Sequence, residues 1–427
     1  MENVKKAIVF AGGGSKGAYQ LGAWKALEEL GEHFDIAAGT SIGSINAGFY
    51  VQKDLEAAEK MWGEITAGDI MANGISFDVS FDGIISQKEN IIPFLKNYLN
   101  TKSVDNTPFL NMVRRYFSEE KFFGSEIDYA LMTVNFKGFG HNDLIPVEIT
   151  KAQMARDKEN AWKWIVASAS CYPVFPSTEI DGEHYIDGGF YDNIPIASAI
   201  KLGARKIVAI DLNTENNHEG YLRHPSVTYI KPSKDLGNFM NFERNVLDRS
   251  IRLGYNDTMK AYGRYFGIKY TFLADETGSR YTEEVSECFN EILSRMEAEF
   301  DFSHKVRYAR VNKLEGCTAI LGEYCKKYRP TEKDIFIAGL ELLMRLMEFD
   351  DEKEYNISEL LYTLKTDCDR IYPLLEFGPD SAFPKVHEFI KEHTKKHRLL
   401  EMKKHDEDRT MLILTSVIRA LQKASLR

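Results

Sequence analysis

Gly39-Thr40-Ser41-Ile42-Gly43 places a hydroxyl between two glycines, in the G-x-S-x-G pattern. A serine on a sharp strand-to-helix turn is held exposed and strained, and glycines flank it because side chains there would collide. The dipole of the helix that follows favours the oxyanion formed when such a serine attacks a carbonyl. Upstream, Gly12-Gly13-Gly14-Ser15-Lys16-Gly17 leaves backbone N–H groups unobstructed where a helix begins, a place that stabilises an anion. That anion could be a phosphate or a transient oxyanion. Downstream, Asp181-Gly182 is a two-residue hairpin signal. The returning strand 183–186 then delivers Asp187 at its end, with Gly188 and Gly189 behind it permitting close backbone approach. A carboxylate so placed can take the proton from an attacking hydroxyl, a part more often played by histidine.

Each stretch alone also has a plainer reading. The glycine run can be a structural turn, Ser41 an N-cap before helix 42–51, and Asp187-Gly188-Gly189 a turn. Gly12, Gly14 and Gly17 fit the dinucleotide fingerprint G-x-G-x-x-G as well. That use requires an acidic residue at the end of the second strand. Here the strand ends in Gly39-Thr40-Ser41, Asp35 stands at its beginning, and Glu28 and Glu29 fall within the first helix. A histidine triad in the order Ser-Asp-His would enlist His218 or His224, both in a polar loop. His393 and His397 have the spacing of a zinc pair, but no glutamate lies between them and no third ligand is evident. They share a helical stripe with Val386, Ile390 and Leu400, which suits a helix seam, so neither a metal nor a cofactor is expected.

These residues need elements to hold them. Ala7–Phe10, 36–38, 130–135, 145–149, 207–212 and 227–230 read as strands. Helical patterns lie between them at 18–30, 42–51, 161–169 and 241–264. Such alternation predicts a mostly parallel sheet covered by helices, an α/β fold. Past residue 275 the strand signal fades, and 285–300, 331–347 and 408–426 keep helical spacing. The expected division is therefore 1–275, an α/β domain, and 276–427, a mainly helical region of unassigned role.

The chain has 427 residues with 54 basic and 64 acidic side chains, a formal charge of −10 that argues against a general nucleic-acid binder. Five scattered cysteines without CxxC spacing disfavour a disulfide framework and a structural zinc site. With no apolar run of membrane-spanning length and no signal-peptide pattern, a cytoplasmic location is the default expectation. Residues 385–405 hold seven Lys/Arg against three Glu, a face that suits solvent or transient contact with an anionic membrane surface. The apolar stretch 70–85 suits either a lipid-admitting lid or core.

Taken together, the order G-G-G-x-K/R-G, G-T-S-x-G and D-G-G-x-x-x-N-x-P resembles the patatin-like phospholipase family. This chain supplies Gly12–Gly17, Gly39–Gly43 and Asp187-Gly188-Gly189-Phe190-Tyr191-Asp192-Asn193-Ile194-Pro195. Val166-Ala167-Ser168-Ala169-Ser170, with Pro173 and Phe175-Pro176, is also similar to the family's stretch before its aspartate. The similarity covers about residues 5–215, continues weakly through Gly254–Thr258, and leaves the C-terminal third uncovered. It implies a three-layer patatin-like domain and a Ser-Asp dyad that cleaves fatty acyl esters of phospholipids or related lipids without a metal. Carried over, Ser41 is the nucleophile, Asp187 the base, and the amides of Gly12, Gly13 and Gly14 the oxyanion hole. Lys16, Gly17, Gly39, Gly43, Gly188 and Gly189 are supporting residues. Lys16 stands where many members have arginine, a change that a backbone oxyanion hole should survive. A catalytically silent, lipid-binding relative would require loss of Ser41, Asp187 or the glycine loop, and all three are present.

Overall fold

A computed structural model describes residues 4–70, 105–137, 144–172, 174–213, 219–222, 224–273, 275–303, 317–325, 330–371 and 407–424. Contacts divide the chain into two compact units, Met1–Ala261 and Tyr262–Arg427. In the first unit eight strands form one sheet among the described residues. They are β1 (Lys6–Phe10), β2 (Ile36–Thr40), β3 (Asp128–Phe136), β4 (Leu144–Thr150), β5 (Thr178–Ile180), β6 (Glu183–Asp187), β7 (Lys206–Ile210) and β8 (Val227–Ile230). The order is β5-β6-β3-β2-β1-β7-β8, with β4 also paired to β3. Neighbours from β3 through β8 run parallel, whereas β4, β5 and β6 join antiparallel. Every residue of β2 is buried, as expected of a parallel strand covered on both faces. The sheet is the mostly parallel α/β core that the sequence predicts.

Two helices begin at the motifs. The glycine run leads through a 3-10 turn, Gly14–Gly17, into α1 (Ala18–Glu29). Ser41 opens α2 (Ile42–Val51), which lies against β1, β2 and β3. The hairpin forms where Asp181-Gly182 places it: Ile180 pairs Glu183, and the two turn residues have φ of 53° and 78°.

Strand β3 does the positioning. The last residue of β2, Thr40, registers with Met132, while Asp187 at the end of β6 registers with Thr133. Two segments far apart in sequence thus dock on consecutive residues of one strand. The Thr133 hydroxyl donates to the Ile186 carbonyl at 2.8 Å, fixing the end of β6.

α1 is pinned from behind by the helix Arg244–Ala261, which includes Gly254 of the weakly similar stretch. A Cβ on Gly254 would strike the Tyr19 carbonyl oxygen, and one on Gly22 that of Ile251, so the two backbones touch at a glycine pair. Gly254→Ala is expected to lower stability by about 1–3 kcal/mol, the usual cost of overpacking, measured by denaturant unfolding. An unchanged midpoint would show that the helices separate freely.

The second unit includes helices Glu276–Ser303, Cys317–Cys325, Glu332–Leu346, Ile357–Ile371 and Glu407–Lys423. They share an apolar core around Phe289, Phe336, Leu343, Ile413 and Val417. The division comes earlier than the compositional change at 275. Residues before that point, β9 (Tyr265–Phe266) and β10 (Thr271–Leu273), pair with each other, β10 pairs with β11 (Glu354–Asn356), and Phe272 enters this core. These short strands, β11 among them, carry no period-2 run long enough to read. The fully buried Glu341 carboxylate accepts the Ile268 and Lys269 amides at 2.6 and 2.9 Å and the Tyr324 hydroxyl at 3.1 Å, which compensates its burial. All five cysteines are free thiols. His218, His393, His397, the basic stretch 385–405 and, apart from Ile70, the stretch 70–85 lie outside the described residues.

Candidate active site

Ser41 sits between β2 and α2 with φ 55° and ψ −130°, a conformation that costs a non-glycine residue of order 1–3 kcal/mol. Both flanking glycines are explained by contact. A Cβ on Gly39 would collide with the Gly43 carbonyl, and one on Gly43 with the carbonyls of Phe10 and Ala11. The elbow is tied down on the inside by the Ser44 hydroxyl and amide, which donate to the Ser41 carbonyl at 2.6 and 2.9 Å.

Asp187 is completely buried. Its Oδ1 accepts the Gly189 amide at 2.8 Å, the reason a short turn follows the strand. Its Oδ2 is buried and meets no donor in full hydrogen-bond geometry, although the Ser41 hydroxyl lies near enough to act on the carboxyl. Burial pushes the carboxyl up to about 7, against the opposing pulls of the Ser41 hydroxyl and the Gly189 amide. Gly188 is a glycine because a Cβ there would strike the Met132 carbonyl on β3. A titratable neighbour is Cys171, whose thiol is pushed up by burial and by Asp187 and stays protonated.

The loop after Asp187 joins the three motifs. The Asp192 carbonyl accepts the Thr40 hydroxyl at 2.9 Å. The Asn193 carbonyl accepts the Gly12 amide at 2.9 Å, and the Asn193 side-chain amide donates to the Gly12 carbonyl at 3.1 Å. The glycine loop is thereby held beside the serine: a Cβ on Gly12 would collide with Asn193 Oδ1 and lie 3.0 Å from Ser41 Cβ. On its other side the Ser15 amide and hydroxyl donate to the carbonyls of Phe239 and Asn238 at 2.7 and 3.1 Å.

This geometry corrects one expectation. The Gly12 N–H is already bonded to Asn193, so it cannot be one of three open donors. The Gly13 and Gly14 amides have no protein acceptor among the described residues. Gly14 needs its glycine doubly, with φ 58° and the Phe239 carbonyl where a Cβ would go, while a Cβ on Gly13 would come 2.8 Å from Leu212. Lys16 is half-buried, and Gly17 packs against Ile42 and Trp62 with no room for a side chain.

Other readings fare less well. β2 ends in Thr40 bound to Asp192, and Asp35 accepts the Lys6 amide at 2.8 Å, so β2 itself offers no carboxylate at its end for a ribose. His224 is exposed and accepts the Ser226 amide at 3.3 Å. Among the described residues no three His, Cys, Asp or Glu side chains group to hold a metal, and no helix is long and apolar enough to cross a membrane.

Residues 8–200 match the family model described as patatin-like phospholipase, and all three motifs lie inside that stretch. Residues 8–200 form a patatin-like phospholipase domain. Lysophospholipase NTE1 of Mycosarcoma maydis is 24% identical over 212 residues, 48% of this chain and 10% of that protein. Patatin-like phospholipase domain-containing protein 6 of Homo sapiens is 25% identical over 213 residues, 49% of this chain and 13% of that protein. The aligned part thus spans roughly an eighth or less of these relatives' length. The crystal structure of VipD from Legionella pneumophila aligns with a TM-score of 0.39 and 14% identity, covering 99% of this chain and 93% of that one.

Ser168 and Asn193 bond to Ser41 and to the glycine loop but were not among the candidate site residues, although both stand in stretches that carry the resemblance. The Ser168 hydroxyl accepts the Ser41 amide at 3.0 Å and donates to the Met132 carbonyl at 2.7 Å. A signal existed: two serines alternate with alanine at the end of an apolar helix, and buried hydroxyls require partners.

Proposed function

We propose that the patatin-like domain is a metal-independent serine acyl hydrolase acting on fatty acyl esters of phospholipids or related lipids. The observation that carries the reading is the strained Ser41 beside a fully buried carboxylate with one oxygen left unbonded. Ser41 Oγ attacks the ester carbonyl carbon while its proton passes to Asp187 Oδ2. The Gly13 and Gly14 amides receive the oxyanion, helped by the N-terminus of α2. The leaving alkoxide takes the proton from Asp187 as the C–O bond breaks, giving an acyl-serine and a free alcohol. Water, deprotonated by Asp187, then releases the fatty acid and restores Ser41. A carboxyl held near 7 suits both halves, because it must accept and return a proton within one cycle. The names of the curated relatives support lipid esters as the substrate class. We further propose a cytoplasmic enzyme that meets membranes peripherally. Tyr191, in the loop beside Asp187, is 62% exposed and available to such a surface.

The test is a fluorophosphonate probe together with a panel of phospholipids, lysophospholipids and acylglycerols. Labelling at Ser41 and fatty acid release from the panel are expected; labelling elsewhere would sink the assignment. Gly14→Ala adds a Cβ to the amide pair and is expected to lower kcat about 10²–10³-fold with KM nearly unchanged. Steady-state kinetics on a soluble ester check this. A raised KM with unchanged kcat would make the loop a ground-state binding element.

A further inference from the structure

We propose that Ser168 is a positioning residue that sets the Ser41–Asp187 geometry, with the segment Ser168–Ser170 acting as a tie between the two; the inference rests on the dyad reading above. Ser168 ends the helix Ala161–Ser168 and is completely buried. Its one hydroxyl bridges the Ser41 amide, at 3.0 Å, to the Met132 carbonyl, at 2.7 Å. Met132 is the β3 residue in register with Thr40, so the hydroxyl fastens the turn to β3 just past the last paired residue of β2. Two residues on, the Ser170 carbonyl accepts the Asp187 amide at 2.9 Å, just past the last turn of that helix. The strained serine and the buried carboxylate are therefore hung from one short piece of chain, which the Ser170 hydroxyl anchors to Val166 and Thr178 at 2.9 and 2.8 Å. The Ser168 hydroxyl bonds to the Ser41 amide and the Met132 carbonyl, not to the reacting hydroxyl or the Asp187 carboxyl, and so acts through the backbone of Ser41.

Removing the hydroxyl frees the Ser41 amide, and the elbow relaxes away from Asp187. Small displacements of a nucleophile are costly, so Ser168→Ala is expected to lower kcat about ten- to a hundredfold with KM nearly unchanged. It should also move the pH midpoint of kcat/KM upward, because the Ser41 hydroxyl holds the Asp187 carboxyl lower than burial alone would. The neighbour facing that carboxyl, Cys171, is neutral across the range and does not confuse the reading. Ser198→Ala is the control. It is equally buried and loses a bond to Glu148, so stability falls while kcat and the midpoint hold. Should Ser168→Ala fail to fold, Ser168→Cys keeps a weaker hydrogen-bonding atom in place and should show smaller changes of the same sign. A kcat within about twofold of wild type, or a fall in kcat with an unmoved midpoint, overturns the proposal. Ser41→Ala runs alongside. If it stays active the dyad itself is wrong, whereas an inactive Ser41→Ala with an unaffected Ser168→Ala removes only the tie.

Discussion

Asp187→Asn should cost about 10³–10⁴-fold in kcat and, at the same time, make the protein harder to unfold at neutral pH and above. The first effect follows from the loss of a general base whose shape is kept. The second follows from where the carboxyl titrates. Its ordinary value is 3.8 and the folded value is about 7, so between these limits the folded chain holds a proton that the unfolded chain has released. Stability therefore declines as pH rises through that window, by up to about 4 kcal/mol at 1.36 kcal/mol per pH unit, and the full cost stands above it. Asparagine carries no charge to bury. The melting temperatures of the two proteins should nearly coincide near pH 4 and separate towards pH 8, with the variant higher. Catalysis has the opposite slope, since the base must be ionised to act: wild-type kcat/KM should rise with pH through about 7 and then level. A profile that is flat from pH 5 to 8, or a variant less stable than wild type at pH 8, would exclude a buried, strained-to-ionise base at this place.

Ser41→Ala should abolish ester hydrolysis and probe labelling, with a loss of about 10⁴–10⁶-fold, as expected when a nucleophile that works as a unit with its base is removed. Residual activity within about tenfold of wild type, only ~1.4 kcal/mol of barrier, would be too small a loss for a nucleophile. A second substitution separates chemistry from backbone. Ser41→Gly is equally inactive but relieves φ 55°, which alanine must still adopt. It should melt above Ser41→Ala, the strain of order 1–3 kcal/mol outweighing the ~0.5–1 kcal/mol entropy cost of glycine. The same order of melting temperatures in reverse would mean that the elbow is unstrained.

What the sequence could reveal depended on whether a signal was local. The Asp181-Gly182 turn, the G-x-S-x-G elbow and the strand that ends at Asp187 are each written within a few residues, and the helix 42–51 and strand 227–230 occur with the expected bounds. The Gly12 assignment went astray because glycine announces a conformation and not the fate of its N–H. That amide is bonded to Asn193, a partner brought in by long-range folding. Ser168 stood in a stretch noted for its resemblance, but its role was not legible there, since its partners Ser41 and Met132 come from two other elements. The unit boundary before 275 was missed because β9, β10 and β11 are two or three residues long, too short to show a period.

The docking of Thr40 and Asp187 on consecutive residues of β3 also fixes when, during synthesis, the proposed dyad can form. The serine elbow leaves the ribosome before β6 does, together with β1, β2 and the helices that follow them. No base exists until β6 has been made and has found its place on β3, and pairings of such long sequence separation form slowly. A truncated or half-folded chain carries a nucleophile without a partner. For the proposed dyad, reactivity therefore waits on a long-range pairing: until β6 docks on β3, Ser41 has no carboxylate beside it.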